Sequence, residues 1–368
     1  MKVLYITNIP SPYKVEFFNR LAQTCDLTVY FERMSASDRN KSWKSNEKWT
    51  FNVLESTSIK LGTDSSVSFD VIRHLRRIQY DVVVFAAYHT VTSMITMQYL
   101  RMRHIPFILS SDGGFVKTEN IIKRKIKSHF IGMADWYLSP GGKTDDYLSF
   151  YGADERNISR YSFTSISKDD VLDVESQYHH KQQYRDELRI IDTDKKILLT
   201  VGQMIERKGI DILLRALKGI SDNLEVIIVG GTPTEEYKEI IKRENLKNIH
   251  FLDFMQKSEL KKYYIAADLF VLPTREDIWG LVVIEAMAYG LPIITSDYCN
   301  AGIELEKYGL AYTFPSEDSE KLQCKIIDVL QNINTLCSRK VSMDYTYENM
   351  VEEHLVAFRA FLDSIKKK

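Results

Sequence analysis

The sequence contains no run approaching the ~18 consecutive apolar residues of a membrane-spanning helix. Its opening, MKVLYIT, enters a strand-like stretch directly, without the charged, apolar and small-residue zones of a secretory leader. Cysteine is scarce and scattered: Cys25, Cys299, Cys324 and Cys337 are widely spaced, and no C-x-x-C pair occurs. That excludes a disulfide frame or a cysteine zinc site, and it fits reduced thiols in a cytosolic protein. The G-x-G-x-x-G fingerprint of dinucleotide-binding folds is missing, as is the Walker order G-x-x-x-x-G-K-S/T. A dehydrogenase is therefore disfavoured. No low-complexity tract occurs apart from the lysines at 366–368, and no repeat beyond two α/β halves is visible. Nothing marks a nucleic-acid partner.

What is present is a soluble globular composition, 44% hydrophobic and 27% charged. A chain of 368 residues exceeds the usual size of one domain, so two are expected. The net charge of −1 hides an asymmetry. Residues 1–165 hold 22 Lys and Arg against 16 Asp and Glu, and residues 166–368 hold the remaining 27 against 34. A basic first half and an acidic second half suggest different tasks, with an anionic partner for the first.

The first half alternates short apolar runs with helical stretches, as doubly wound parallel sheets do. A strand at 3–7 leads into the stiff loop Asn8-Ile-Pro-Ser-Pro and a helix over 15–23. Ligands of such sheets gather at the carboxyl ends of strands. Ser11 and Tyr13 lie there, though a Pro-stiffened turn explains them equally well. His89 follows the strand 81–87 and is placed to assist proton transfer. Asp112 and Gly113 follow the strand 106–110, where two glycines permit close backbone approach. Residues 33–50, carrying Arg39, Lys41 and Trp43, are polar and read as a loop over a site or a solvated connector.

The stretch 121–131, IIKRKIKSHFI, puts apolar residues at 121, 122, 126, 130 and 131 and cations at 123, 124, 125 and 127. As a helix it has one apolar and one basic face. Two readings follow: docking on an anionic membrane surface or lipid-linked acceptor, or a core-facing helix with a solvated basic side. Residues 165–195 lose periodicity and hold the interdomain linker, with a short helix over 176–188. The pair His179-His180 has no partners at metal-ligand spacing and reads as surface.

The second half carries the chemistry. After a strand at 196–201 comes Gly202-Gln-Met-Ile-Glu-Arg-Lys-Gly209 and then a helix. A strand, a glycine loop, a Lys-Gly pair and a helix start point one lysine and several backbone N–H groups at one spot, as a diphosphate requires. Some seventy residues on, the apolar run 267–272 precedes PTREDIWGLVVIEAMAYGL at 273–291. Here an acidic loop closes at Trp279-Gly280, and a helix ends near Gly290. Asp277 and Glu285 would repel a phosphate, so the ligand that fits both anion site and acids carries phosphate and hydroxyls together: a nucleotide sugar.

These two elements resemble those of the retaining GT-B glycosyltransferases of family 4. Glu285-Ala-Met-Ala-Tyr-Gly-Leu-Pro292 is similar to the second part of that family's Glu-x7-Glu signature, with Asp277 at the first acid position and Glu276 beside it. Lys208-Gly209 matches the end of its Gly-Arg-x4-Lys-Gly element, with Gln203 at the Arg position and Arg207 nearby. The resemblance implies an α/β GT-B fold: two doubly wound, Rossmann-like domains facing across a cleft. An acceptor-binding domain would cover 1–170 and a nucleotide-sugar domain 171–345, with the last helix, 346–368, packing back on the first. It implies a donor site of Gln203, Arg207, Lys208, Phe254, Asp277, Trp279, Gly280, Leu281, Val282 and Glu285. In it Lys208 offsets charge on the leaving diphosphate, Asp277 holds sugar hydroxyls, Glu285 holds ribose hydroxyls and the 254–255 loop lies beside the base. His89 and Lys208 with Asp277 are the expected catalytic groups; Ser11, Tyr13, Asp112 and Gly113 are the expected acceptor contacts. It implies retention at the anomeric carbon, no cofactor and no required metal.

The favoured activity is sugar transfer to a lipid-linked glycan in surface-polysaccharide assembly, at the cytoplasmic face of a membrane. Two alternatives stay open: a soluble transferase acting on a small metabolite, and an inactive nucleotide-sugar-binding subunit, made thinkable by Gln203 and Asp277.

Overall fold

A computed structural model of the chain describes residues 1–34, 48–54, 59–60, 66–171, 174–188, 195–332 and 344–367. Arg39, Lys41, Trp43 and Cys337 lie outside the described residues. The chain divides into two compact units, Met1–Phe163 with Tyr347–Lys368, and Thr164–Thr346.

In the first unit the strands are β1 (Lys2–Thr7), β2 (Asp26–Phe31), β3 (Asn52–Leu54), a small hairpin of β4 (Ile59–Lys60) and β5 (Ser66–Val67), β6 (Val82–Phe85), β7 (Ile108–Ser110), β8 (Trp136–Ser139) and β9 (Ile158–Arg160). Apart from the hairpin they form one sheet, β3-β2-β1-β6-β7-β8-β9, in which every pairing is parallel. The sequence dictates this locally. Val82-Val-Val-Phe85 is buried along its whole length, as a β-branched run covered on both faces should be. Helices α1 (Pro12–Leu21), α2 (Asp70–Leu75), α3 (Val91–Met102), α4 (Ile121–Ile131) and α5 (Gly142–Phe150) link the strands. The expected start of α1 at 15 moves back to Pro12, because proline fits the first helical position, where its missing N–H costs nothing.

The second unit has β10 (Lys196–Val201), β11 (Leu224–Val229), β12 (Ile249–Leu252), β13 (Leu269–Leu272), β14 (Ile293–Ser296) and β15 (Tyr312–Phe314). They form the sheet β12-β11-β10-β13-β14-β15, again parallel throughout. Its helices are α6 (Val174–Glu187), α7 (Ile210–Ala216), α8 (Glu235–Arg243), α9 (Lys257–Ala266), α10 (Leu281–Ala288), α11 (Asn300–Glu306) and α12 (Ser319–Gln331). Its core packs Leu198, Val226, Ile228 and Val271 of the sheet against Leu213, Leu214, Ile240, Leu322 and Ile326 of the helices. A last helix, α13 (Tyr347–Lys366), belongs to the first unit. Its stripe Met350, Val351, His354, Phe358 and Phe361 is buried, and the His354 ring lies 4.7 Å from Phe17 of α1.

The differences from the sequence reading have physical causes. β3 and β9 are three-residue edge strands, too short and too polar to show a period. α11 contains Gly302, where a β-carbon would stand 1.8 Å from Thr295 Oγ1, so close packing selects glycine inside a helix. β12 stops at Leu252, so Phe254 lies in a loop, as the resemblance implies. The second unit begins at Thr164, ahead of 171, because its first residues bond into that unit: Thr164 Oγ1 donates to Tyr345 O at 3.0 Å.

Candidate functional site

In the second sheet, β10 stands between β11 and β13, so the chain's direction of travel across the sheet reverses at the β10–β13 boundary. The crevice beyond the carboxyl ends of two such strands is where open α/β sheets bind ligands. The loops that leave β10 and β13 are 202–209 and 273–280, the two elements marked by the sequence.

They touch. Gly209 has φ +65°, and any β-carbon there would stand 2.0 Å from Pro273 O, so only glycine lets the first loop close on the second. Lys208 Nζ then donates to Asp277 Oδ2 at 2.6 Å, with both side chains mostly buried. Asp277, not Glu276, is the acid that meets the lysine. Its backbone is fixed by Asp277 N donating to Tyr298 O at 2.8 Å. Arg207 ties the loops together: Nη1 donates to Glu276 O at 2.8 Å, and its own carbonyl accepts from Thr274 Oγ1 at 2.8 Å. Arg275 grips Asp211 of α7 through two 2.8 Å bonds. Burial alone would raise the Asp211 pKa, but the Arg275 bonds outweigh it and hold the carboxyl below its usual value.

Gly280 caps α10 in the left-handed region, φ +99°, without a side-chain cap. The first intrahelical bond is Val283 N to Gly280 O at 2.9 Å. The N–H groups of Leu281 and Val282 have no intrahelical partner, so the helix starts as an anion-binding end next to the Lys208–Asp277 pair. Gln203 is partly exposed in the first loop, and Phe254 is partly exposed two residues beyond β12. Trp279 lies inside the unit. Its indole is only 2% exposed and packs 6.4 Å from the Tyr345 ring, so it fills the interior and leaves at most its backbone for a ligand.

Glu285, one turn into α10, accepts from Ser165 Oγ at 2.7 Å and from the Tyr264 hydroxyl at 2.9 Å. Burial pushes its pKa up, while Ser165, Lys257 and Tyr264 pull it back. Neither Ser165 nor Tyr264 is visible as a site residue in the sequence, since no motif contains them.

The first unit brings together a second constellation at the carboxyl ends of β1 and β7. Lys14 of α1 is buried, and its Nζ lies 3.3 Å from Asp112 Oδ2 and donates to Thr7 Oγ1 at 3.1 Å. Burial alone would lower the Lys14 pKa; Asp112 and the nearby Tyr13 and Tyr5 outweigh it, so the ammonium stays charged. The sequence reading missed this lysine, which falls on an ordinary amphipathic helix. Tyr161 donates to Ser111 O at 3.0 Å. Gly113, φ +141°, is held by Ser111 Oγ, which donates to its carbonyl at 3.0 Å. Tyr13 meets Phe163 edge to face at 5.6 Å. His89 is exposed on the loop after β6, and partial desolvation together with the charges of Lys14 and Arg33 lowers its pKa. Ser11 is 2% exposed with no partner for its Oγ among the described residues, so its hydroxyl is sealed in and does not reach a ligand in this conformation.

Helix α4 is covered at one end only. Ile131 is buried, but Ile121, Ile122 and Ile126 are 68%, 65% and 46% exposed. The core therefore covers the last turn of α4 and leaves the isoleucines of its first two turns exposed. Lys127 donates to Glu119 at 2.5 Å, which also accepts from Tyr151 at 2.7 Å and lies 3.5 Å from the more exposed Lys123, while Arg124 sits over the Phe150 ring at 4.5 Å. Lys123, Arg124 and Lys125 stand exposed around the isoleucines. Among the described residues no helix is long and apolar enough to cross a membrane, and no cluster of three or more His, Cys, Asp or Glu could hold a metal ion.

Comparison with known proteins places names beside this geometry. Residues 181–340 match the family described as Glycosyl transferases group 1, a span that encloses both loops. Among curated proteins, an uncharacterised glycosyltransferase of Methanocaldococcus jannaschii is 32% identical over 129 residues, covering 34% of this chain and 33% of that protein. The O-antigen biosynthesis glycosyltransferase WclY of Escherichia coli is 28% identical over 156 residues, covering 42% of this chain and 40% of WclY. The chain thus spans well under half the length of these two relatives. Among solved structures, HepE of Anabaena in complex with UDP superposes with a TM-score of 0.77 at 14% identity, covering 98% of this chain and 100% of that one. The fold is that of the GT-B glycosyltransferases.

Proposed function

We propose that the chain is a glycosyltransferase that moves a sugar from a nucleoside-diphosphate sugar to an acceptor hydroxyl. The observation that carries this is the meeting of Lys208 and Asp277 at the β10–β13 crevice. The family match over 181–340 supports it, as do relatives named as glycosyltransferases and a structural neighbour solved with UDP.

In this reading the diphosphate lies on the Leu281 and Val282 N–H groups, and Lys208 turns from Asp277 toward it. The bond from the anomeric carbon to the diphosphate oxygen breaks, its electron pair stays on that oxygen, and Lys208 with the helix start offsets the new charge. Such preorganised donors act most strongly as charge develops. Asp277, released, accepts from hydroxyls of the sugar. The acceptor oxygen bonds to the anomeric carbon with retention, and its proton passes to the leaving oxygen. These cations take the part that a divalent metal plays elsewhere, and no cofactor is needed.

The first unit takes the acceptor, with Asp112, Gly113 and Tyr13 at its strand ends and His89 beside them. The exposed isoleucines and cations of α4 support a lipid-linked glycan acceptor at an anionic membrane surface, on its cytoplasmic face, in surface-polysaccharide assembly. The soluble-transferase alternative leaves that surface without a purpose.

Thermal unfolding of the purified chain against UDP-, GDP- and ADP-sugars tests the reading. One donor should raise the melting temperature by linkage, and the shift should be largely lost in Lys208→Ala. Equal shifts in both proteins would place the nucleotide elsewhere.

A further inference from the structure

Three loops leave the carboxyl ends of β10, β13 and β15: residues 202–209, 273–280 and 315–318. Arg275 stands in the second and reaches the other two. Its Nη1 donates to Glu206 O of the first loop at 2.7 Å. Nη1 and Nη2 hold the two oxygens of Asp211, just past that loop, at 2.8 Å each. In the third loop Nε donates to Glu317 Oε1, and Nη2 donates to Glu317 Oε2 at 3.1 Å. A guanidinium has five N–H groups, and these bonds use every one of them. None is left over for a phosphate.

The bonds converge on the turn that carries Lys208. Glu206, Arg207 and Lys208 form one turn of 3₁₀ helix. The Glu206 carbonyl accepts from Gly209 N at 3.0 Å as well as from Arg275. The Arg207 carbonyl accepts from Arg275 N at 2.9 Å and from Thr274 Oγ1 at 2.8 Å. Both carbonyls ahead of Lys208 are thus pinned by the residues two and three positions ahead of Asp277. The lysine stem lies across Gly202, where a β-carbon would stand 3.3 Å from Lys208 Cδ. An ammonium on a flexible four-carbon stem has no direction of its own. Here it takes one from its fixed root.

Glu317 adds a second sign that this knot serves the site. It holds a left-handed backbone, φ +69°, which residues with side chains seldom adopt. Such strain persists only where the surroundings hold it in place, and it gathers around functional sites. From that backbone its carboxylate completes the fork of Arg275.

We infer that Arg275 is a positioning residue: it locks the Lys208 turn against the Asp277 loop, so that the lysine meets the outer phosphate of a nucleoside diphosphate. The inference rests on the nucleotide-sugar reading. Arg275 touches no ligand, and its effect passes wholly through Lys208.

Calorimetric titration of the full chain with UDP, GDP and ADP, and then with the monophosphate of the base that binds best, tests this. Only the diphosphate carries the outer phosphate. The native chain should prefer it by about tenfold, the scale of one hydrogen bond between charged groups. Lys208→Ala should lose most of that preference. Arg275→Lys keeps a positive charge against Asp211 and Glu317, so it should fold, but three donors on a point charge do not replace the fork. It should lose the preference as far as Lys208→Ala does, although its Lys208 is intact. Arg275→Ala should do the same, and combining it with Lys208→Ala should lower the preference no further, because the two residues act as one.

If the Arg275 variants weaken both nucleotides by one factor and leave the preference at its native value, the arginine is structural and the inference is overturned. If Arg275→Lys alone keeps the native preference, charge suffices and the fork positions nothing. A double variant that loses the product of the single losses would mean that Arg275 acts on the phosphate directly. If the native chain binds both nucleotides equally, Lys208 has no outer phosphate to grip, and the inference falls while nucleotide binding stands. If no nucleoside diphosphate binds the native chain, the nucleotide-sugar reading falls and takes the inference with it.

Discussion

Lys208 and Asp277, 69 positions apart in sequence, meet at 2.6 Å, so the cation proposed to grip a diphosphate is paired with an acid. The acid sits beside the place where phosphate charge would come, and the lysine must exchange one anion for another on binding. In the proposed reading Asp277 both pairs with Lys208 and accepts from the sugar hydroxyls.

That arrangement separates affinity from turnover. In Asp277→Asn the lysine loses its competing partner, and a free nucleoside diphosphate should bind about two- to fivefold more tightly, the scale of a partly exposed ion pair. Sugar transfer should nevertheless fall by on the order of a hundredfold, because an uncharged amide holds the sugar hydroxyls less well. Calorimetry with the diphosphate and product release with the matching sugar nucleotide give the two numbers. Weaker diphosphate binding in Asp277→Asn would contradict the competition between acid and phosphate.

The pair Lys14–Asp112 behaves differently because it lies deeper. Removing one partner leaves the other buried without its counter-charge, which typically costs several kcal/mol for a sealed pair and less where one side reaches water. Asp112 reaches water and Lys14 hardly does. Asp112→Asn should therefore cost the first unit about 2 kcal/mol or more, and Lys14→Met about half as much. The double variant should be more stable than the sum of the two losses. Denaturant titration of the three variants measures the coupling; strict additivity would mean that the pair is incidental.

How much of this was legible beforehand follows from the range of each contact. The two donor loops could be read because each keeps its chemistry within one strand–loop–helix unit. Lys208 and Asp277 are fixed by their spacing from Gly209 and Gly280. Ser165 and Tyr264 could not be read, since their meaning lies in a contact with Glu285 that no local pattern encodes. Lys14 was hidden by a helix whose period is ordinary, and the burial of the Trp279 indole could not be read because a motif position says nothing of burial. In α4 the pattern showed an apolar face but not what covers it; only the fold shows that Ile121, Ile122 and Ile126 are left uncovered.

His354 makes the first unit sensitive to acid. Its ring is fully buried between Phe17, Tyr161 and Phe358. Nδ1–H donates to Met350 O at 2.7 Å, and Nε2 has no partner among the described residues. Burial lowers its pKa from 6.5 to about 4. A base with a lowered folded pKa gives stability that is present above 6.5 and is lost as the pH falls toward 4, because the unfolded chain takes up the proton first. The full loss is on the order of 3 kcal/mol. Glu32 and Glu285, whose pKa values burial raises, act in the opposite sense, so a variant is needed to isolate the histidine. His354→Phe should flatten the fall in stability between pH 6.5 and 4 and change little at pH 7.5. An unchanged pH profile would show that the histidine is protonated in the folded chain.

The exposed face of α4 gives a prediction that needs no substrate. Three uncovered isoleucines with Lys123, Arg124 and Lys125 around them suit the boundary between lipid headgroups and acyl chains. Each cation near an anionic surface contributes about 1 kcal/mol, and the isoleucines add burial. The chain should therefore sediment with vesicles of phosphatidylglycerol and phosphatidylcholine and not with phosphatidylcholine alone. The two parts of the surface should separate in salt. Raising the ionic strength should weaken binding by screening the cations, whereas Ile122→Glu with Ile126→Glu should abolish it at any ionic strength. Lys123→Glu with Lys125→Glu should lose the preference for anionic lipid. Since these side chains are exposed, both variants should melt with the native chain and keep its nucleotide-dependent stabilisation, which ties any loss to the surface itself. Equal binding of the native chain and Ile122→Glu with Ile126→Glu would remove α4 as the docking element.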